Sequence, residues 1–388
     1  MVPKSTVHRT TKLVLTLFGI WPGMSYVLIY RVYWFIILMS DEVWHYRYFK
    51  SHFQLENLPI LVDCLSTFIA HIKVLTKLFV FWFNQQKFVK ILTMMTEDWS
   101  ECADSDNDIR EAVCKGKMSD RISIAMFVLH VFNTITFCTK VFLTIPHVDI
   151  DDSDFELPFF LKVEFPMRIS TLRTYKMLLS VQFVNLLSIV IGTGMVNALL
   201  LTLILHVGGQ INILCSWLTE LAPRENAETR ESVMVMINKI IRKHQRIIQF
   251  STHIEDLYRY ISFVLFASNT TMICMLAFLV LTSLNSPDAT ERILRSLLFY
   301  AITNLESFIF CFAGEYLRNK SKTIGGAAYN SAWYDLRPKD SRVLLLVILR
   351  AQKQLTLTAG RMMDLSLESF GNIMKASASY MSVLLAMQ

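Results

Sequence analysis

The chain has 388 residues, of which 53% are hydrophobic and 18% charged, with a mean hydropathy of +0.40. Soluble chains run at roughly 45–50% apolar with Gly counted and about 25% charged, so an ordinary soluble fold is excluded. The net charge of +6 suits basic loops beside a bilayer and gives no indication of a nucleic-acid partner, while seven scattered cysteines without CxxC spacing indicate neither a disulfide framework nor a structural metal.

In chain order, the start "MVPKSTVHRTTKLVLTLFGIWPG" imitates a signal peptide. Its apolar run from Leu13 to Trp21 is broken by Thr16 and Gly19, and no small-x-small cleavage site follows. It reads as an uncleaved segment at the membrane surface. A helix crossing about 30 Å of hydrocarbon needs roughly 20 mainly apolar residues. Seven stretches qualify, near 26–48, 59–83, 121–145, 177–206, 260–284, 293–317 and 363–387. Arg31, Lys73, Lys77, Lys140, Glu306 and Lys375 lie within them. Ionisable groups at that depth face the bundle interior or water, or snorkel at a helix end. Basic residues set the orientation: the segments on the N-terminal side hold 22 Lys/Arg and those on the other side hold 7. The expected fold is therefore an all-α membrane protein of seven transmembrane helices, with a cytosolic N-terminus and an extracellular C-terminus.

Two connections exceed simple loops. From Ser232 to Ile261, Met236, Ile237, Ile240, Ile241, Ile247, Ile248, Ile254, Tyr258 and Ile261 recur at helical spacing, with Lys239, Arg242, Lys243 and Arg246 on the other face. The run "VLLLVILR" (343–350) is too short to span and ends in basic residues. Both read as parts of a packed cytosolic layer. The expected division is 1–25 cytosolic, 26–206 helices one to four, 207–259 a helical anchor, 260–317 helices five and six, 318–362 further anchor, and 363–388 the seventh helix. The alternative reading is an amphipathic helix lying on the inner leaflet.

Catalytic signatures are absent. The sequence holds no HExxH, GxxxxGK[ST] or GxSxG, and no Cys/His cluster at ligand spacing. "GTG" (192–194) suits close helix packing, and the acidic run 149–156 lacks the Gly and terminal Glu of a calcium loop. No enzyme, metal site or cofactor is expected.

On a wheel of 100° per residue, Glu368, Ser369, Asn372, Ala376, Ser379, Tyr380, Val383 and Met387 share one face of the seventh span, all within about 60° of Val383. The opposite face carries Leu367, Phe370, Met374, Met381 and Leu385. A polar stripe against lipid is costly. It is either satisfied by neighbouring helices or lines water, with Val383 and Met387 as a constriction that gates by dewetting.

The last quarter of the chain carries a set of motifs: Ala328/Tyr329 with Trp333/Tyr334, Arg350/Gln352, Leu357–Gly360, Ser366/Leu367/Phe370, and Lys375/Ser377/Ser379/Tyr380. With "GIWP" (19–22) and His244, this pattern resembles the insect odorant receptor family. Ser379-Tyr380 without a following Gln-Phe favours it over the related gustatory receptors. The long insertion before span five expected of the obligate co-receptor is missing, so the resemblance is to a ligand-tuning subunit. It implies a ligand-gated, non-selective channel for monovalent cations and calcium in the cell membrane of olfactory neuron dendrites. Such a channel is a hetero-tetramer with the co-receptor, each subunit giving its seventh span to one pore. Tyr380 then matches the pore-helix tyrosine, Val383 the hydrophobic gate, and Met387 lies one turn beyond, with Ser379 and Ala376 lining the pore. The ligand, a small volatile odorant, is expected in the outer half of spans two to six, among Phe68, His71, Ile72, Phe132, Thr136, Phe137, Phe183, Leu187, Tyr300, Thr303 and Asn304. Lys375 is expected to pair with Glu306. Two other readings accommodate seven spans. One is a chemoreceptor signalling through G-protein-like cytosolic partners, although the usual acidic-Arg and NPxxY-like motifs are absent. The other is a transporter, although no internal repeat is visible.

Overall fold

The computed structural model describes residues 7–53, 58–144, 157–165, 169, 171–221, 228–283 and 289–386. Its helices are α1 (Arg9–Leu17), α2 (Val27–Ser51), α3 (Leu58–Phe83), α4 (Gln85–Cys102), α5 (Asp106–Thr144), α6 (Leu172–Thr219), α7 (Glu228–Ser283), α8 (Ala289–Tyr329), α9 (Pro338–Gln352) and α10 (Leu367–Ala386). A two-residue hairpin, β1 (Thr358–Ala359) with β2 (Met363–Asp364), joins α9 to α10. Seven helices coincide with the seven expected spans, and α3, α5, α6, α7 and α8 carry windows apolar enough to cross a bilayer by composition alone.

The helices α5 to α8 run to 39, 48, 56 and 41 residues, or roughly 60–85 Å at 1.5 Å per residue. Each therefore overshoots a ~30 Å hydrocarbon layer by a comparable length. Hydropathy cuts a span where its sequence turns amphipathic, but the hydrogen-bond ladder does not stop there. The overshoot of α5, α6, α7 and α8, with α4 and α9 packed among them, forms a second helical layer at one end of the bundle.

The centre of the molecule is α6, in which every residue from Gly194 to Ile211 is buried. An all-round apolar helix belongs in a core. Around it α1 docks through Thr11, Val14 and Leu15, so the segment expected on the membrane surface is instead packed into the bundle. Its C-terminal carbonyls would otherwise be orphaned. Trp34 Nε1 donates to Leu17 O (2.9 Å), Trp82 Nε1 to Phe18 O (3.0 Å) and Arg31 Nε to Gly19 O (3.1 Å). Gly19 sits at φ +64°, which favours glycine, so "GIWP" encodes the stop of α1.

The second layer is held by charge as well as apolar burial. On α4, Asp98 accepts from His206 Nε2 (3.0 Å) and Arg246 Nε (2.6 Å) and lies 3.6 Å from Lys243 Nζ. Lys243 also bonds Glu101 (2.7 Å). The helical spacing puts Lys243 on a solvated face, but α4 covers that face of α7 and buries the ammonium. Burial pushes the Asp98 carboxyl up, yet the bond from His206 and the charges of His206, Lys243 and Arg246 hold it below its ordinary value.

The hairpin is clamped to α7. Thr358 N donates to Glu255 Oε2 (2.8 Å), Thr358 Oγ1 to Glu255 Oε1 (2.5 Å), and Gly360 N to Arg259 O (3.2 Å). Gly360 and Arg361 both take φ +64°, the left-handed pair that a tight hairpin turn demands. A Cβ at Gly360 would lie 2.8 Å from Phe263 Cδ2. The Leu357–Gly360 motif is thereby explained residue by residue. Leu357 and Ala359 are buried, Thr358 ties to α7, and Gly360 turns. Ser366 then caps α10, accepting from Ser369 N (3.0 Å).

Candidate functional site

Midway along the bundle, four helices converge on one carboxylate. Glu306 of α8 receives Lys73 Nζ (3.1 Å) and Lys77 Nζ, both from α3, and Asn197 Nδ2 of α6 (3.3 Å). Lys77 also donates to Asn197 Oδ1 (3.0 Å), and Lys73 to Asn269 Oδ1 of α7 (3.0 Å). Asn269 Nδ2 donates onward to Thr303 O (3.2 Å) and to Ser307 Oγ. The carboxylate expected to pair with Lys375 is therefore already satisfied, and the Lys375–Glu306 pair does not form. Lys375 is exposed. The reason is positional: Lys73 and Lys77, one turn apart on α3, point inward at Glu306, whereas α10 packs through the face opposite Lys375.

Beside this network lies a cavity of about 150 Å³. Its walls come from Asp63 to Val74 of α3, the second half of α5, the first half of α6, Leu276 of α7 and the first half of α8, with Leu161 from the segment before α6. Apolar walls include Val74, Phe137, Leu186, Ile189, Leu276 and Phe299, and one corner carries Lys73, His130, Thr193 and Glu306. His130 of α5 reaches this corner because α6 presents Gly194, where a Cβ would collide with the imidazole.

Of the residues expected in a ligand pocket, the cavity gathers His71, Phe137 and Thr303. His71 also has a structural partner, its Nδ1 lying 3.4 Å from Glu42 Oε1, with its ring edge-on to His45. The others lie elsewhere. Phe132 and Ile72 are exposed on the outer surface. Thr136 Oγ1 bonds back to Phe132 O. Phe183 packs against Phe142 and Phe160. Phe68 lines a separate apolar crevice between α2 and α3. Leu187, Tyr300 and Asn304 stand beside cavity-lining Leu186, Phe299 and Thr303 but outside the wall. The outward turn of Phe132 and Ile72 has one cause. The expected pocket turns aromatics inward, whereas membrane helices put polar residues inward and let aromatics meet lipid. One position of error rotates a helical residue by about 100°. The signal that locates the cavity is the polar set, His130, Asn133, Thr134, Thr193, Ser296 and Glu306.

A second feature is α10. Phe370, Ile373 and Ser377 turn inward, with Phe370 against Phe308 of α8 (centroids 5.8 Å), while Glu368, Asn372, Lys375, Ala376, Ser379 and Ser382 are exposed. The chain passes into α10 over Gly314, where any Cβ would strike the Leu365 carbonyl. Tyr380 and Val383 belong to the helix by backbone, and Met387 lies outside the described residues. A third feature is an exposed apolar face on the second layer, formed by Leu345, Leu346 and Leu349 of α9 with Tyr329 and Tyr334 nearby in sequence.

Comparisons with known proteins agree with the motifs. Residues 57–378 match the family model described as 7tm Odorant receptor. Odorant receptor 10 of Aedes albopictus is 35% identical over 150 residues, 39% of each chain. The odorant receptor coreceptor of Anopheles gambiae is 24% identical over 166 residues, 42% of this chain and 34% of that one. These sequence matches thus span about two-fifths or less of the relatives' own length. The structure of the insect olfactory receptor OR5 from Machilis hrabei in complex with eugenol superposes with a TM-score of 0.81 at 13% identity, covering 98% of this chain and 97% of that chain. The seven-helix fold is therefore shared nearly end to end.

Proposed function

This chain belongs to the odorant receptor family, a family without enzymatic activity, and from that premise we propose that it is a ligand-binding subunit of an odorant-gated, non-selective cation channel. Four subunits surround one axis, this chain alternating or mixing with a co-receptor, and each contributes α10 to the pore. The second helical layer is cytosolic and holds the subunits together. The exposed Leu345, Leu346 and Leu349 of α9 suit such a contact, since water-exposed leucines in a row mark an interaction surface.

The observation that carries this reading is the split character of α10. Its polar and small residues Asn372, Ala376 and Ser379 are exposed in the single subunit, and each polar group left unsatisfied in hydrocarbon costs several kcal/mol. Around a central axis the same stripe faces water. On the helical wheel of the sequence Val383 shares that stripe and is the gate, with Met387 the next residue on the same stripe. Odorant binding favours the state in which this ring moves away from the axis and fills with water.

The cavity of about 150 Å³ is the odorant site. A cavity of that volume in another protein admits one benzene-sized molecule, the scale of a volatile. The Machilis hrabei receptor was solved with eugenol, a ligand of similar class. Replacing Val383 by Thr, co-expressed with a co-receptor, raises resting cation leak at least several-fold on this account. Unchanged leak at normal surface expression would remove Val383 from the gate.

A further inference from the structure

The polar corner of the cavity has hydrogen-bonding capacity that the protein leaves unused. His130 is 5% exposed and lines the cavity, and its Nδ1 has no hydrogen-bond partner among the described residues. Thr193, one helical turn along α6 from Asn197, also lines the cavity, and its Oγ1 has no partner there either. Lys73 uses two of its three donors, on Asn269 and Glu306. Nearly all buried polar groups in folded proteins are paired, and each exception requires an explanation. Here the unpaired groups line a cavity of mixed apolar and polar walls that is large enough for one small molecule.

Resting on the assignment of this cavity as the ligand site, we propose that the chain is tuned to small neutral alcohols, aliphatic or phenolic, whose hydroxyl seats in the corner formed by Lys73, His130 and Thr193. The chemistry selects among ligand classes. A neutral imidazole nitrogen is a donor or an acceptor according to tautomer, and a threonine hydroxyl is both. A hydroxyl complements either tautomer, because it can accept from one group while donating to another. An ether or ester oxygen only accepts. A carboxylate only accepts, and it must shed its hydration to enter the bundle, while an amine would stand beside Lys73, which already has Lys77 as a cationic neighbour on Glu306. A hydrocarbon leaves the corner as unpaired as it is in the empty protein. The other ionisable groups of the lining have neighbours outside this corner: Asp63 lies 3.6 Å from Lys162, and His71 Nδ1 lies 3.4 Å from Glu42 Oε1.

The test uses the full chain in two ways. Purified protein in lipid nanodiscs is titrated with matched compounds sharing one carbon skeleton (alcohol, methyl ether, alkane and carboxylic acid) while its thermal unfolding is followed. The same panel is applied to cells co-expressing a co-receptor while current is recorded. The expected result is that the alcohol binds roughly ten-fold more tightly than its ether and alkane, the scale of one hydrogen bond. Thr193→Val and His130→Phe should each erase most of that preference while leaving the affinity for the alkane within about two-fold. Equal affinity for alcohol, ether and alkane in the unmodified chain overturns the inference, as does a preference for the acid or binding of none of the panel. A preference that survives both substitutions overturns the assigned corner. Alcohol binding without any current leaves the ligand class standing and overturns the channel reading, so the two failures are distinct.

Discussion

Glu306 is the residue on which the membrane half of the molecule most depends. Its carboxylate faces two buried lysines, and removing one partner of a buried pair costs roughly 3–5 kcal/mol because the remaining charge is stranded. Glu306→Gln should therefore abolish most surface expression. Lys375→Met should leave expression within experimental scatter, since Lys375 is exposed and changes at such sites usually stay within about 0.5 kcal/mol. Quantitative surface labelling of both variants separates them, and equal loss in both would contradict the pairing described. The sequence carries half of this result. Lys73, Lys77 and Glu306 stand out as ionisable residues inside apolar runs, but which lysine meets the carboxylate depends on the rotation of α3 against α8. No spacing rule fixes that rotation. The same ambiguity turns Phe132 outward and brings His130 in.

At the scale of elements, the connector between α9 and α10 and the α4–α7 contact are each fixed by polar contacts to α7. Gly360→Ala forces a side chain into a left-handed backbone position against Phe263, a strain of about 1–3 kcal/mol, and should lower the unfolding temperature of the purified protein by several degrees. An unchanged temperature would mean that the hairpin is not clamped. Asp98→Asn weakens the contacts to His206, Lys243 and Arg246 and should destabilise the second layer. The pH dependence follows from the lowered Asp98 pKa. Its stabilising contribution is complete above the unfolded carboxylate value near 3.9, and is lost only as pH falls through the lower folded value. Unfolding curves from pH 5 to 6, above the ordinary carboxylate range and below the ordinary histidine value of about 6.5, should therefore keep a constant gap between Asp98→Asn and the parent, and a gap that closes over that range would contradict the assignment. The boundaries of these elements are the less legible part. The amphipathic pattern from Met236 to Ile261 locates the extension of α7, and the short leucine run locates α9. The long continuous helices do not follow from hydropathy, because hydropathy reports the water line rather than the helix end. The Leu357–Gly360 motif is legible as a pattern, but its physical meaning needs Glu255 and Phe263, about 100 residues earlier in the chain.

For the whole molecule, composition and hydropathy suffice to indicate a seven-helix membrane protein, because apolar length is a direct physical requirement of the bilayer. A pore is different. It belongs to an assembly, and its trace in one subunit is a helix whose exposed face is polar while its packed face is apolar. Asn372, Ala376 and Ser379 on one side, with Phe370 and Ile373 on the other, are the pattern on which the pore proposal rests. The most direct test is to co-express the chain with a co-receptor, block G-protein signalling, and record the response to a rapid odorant pulse. The account predicts a fast cation current that persists through the block. A response that disappears with the block would contradict it.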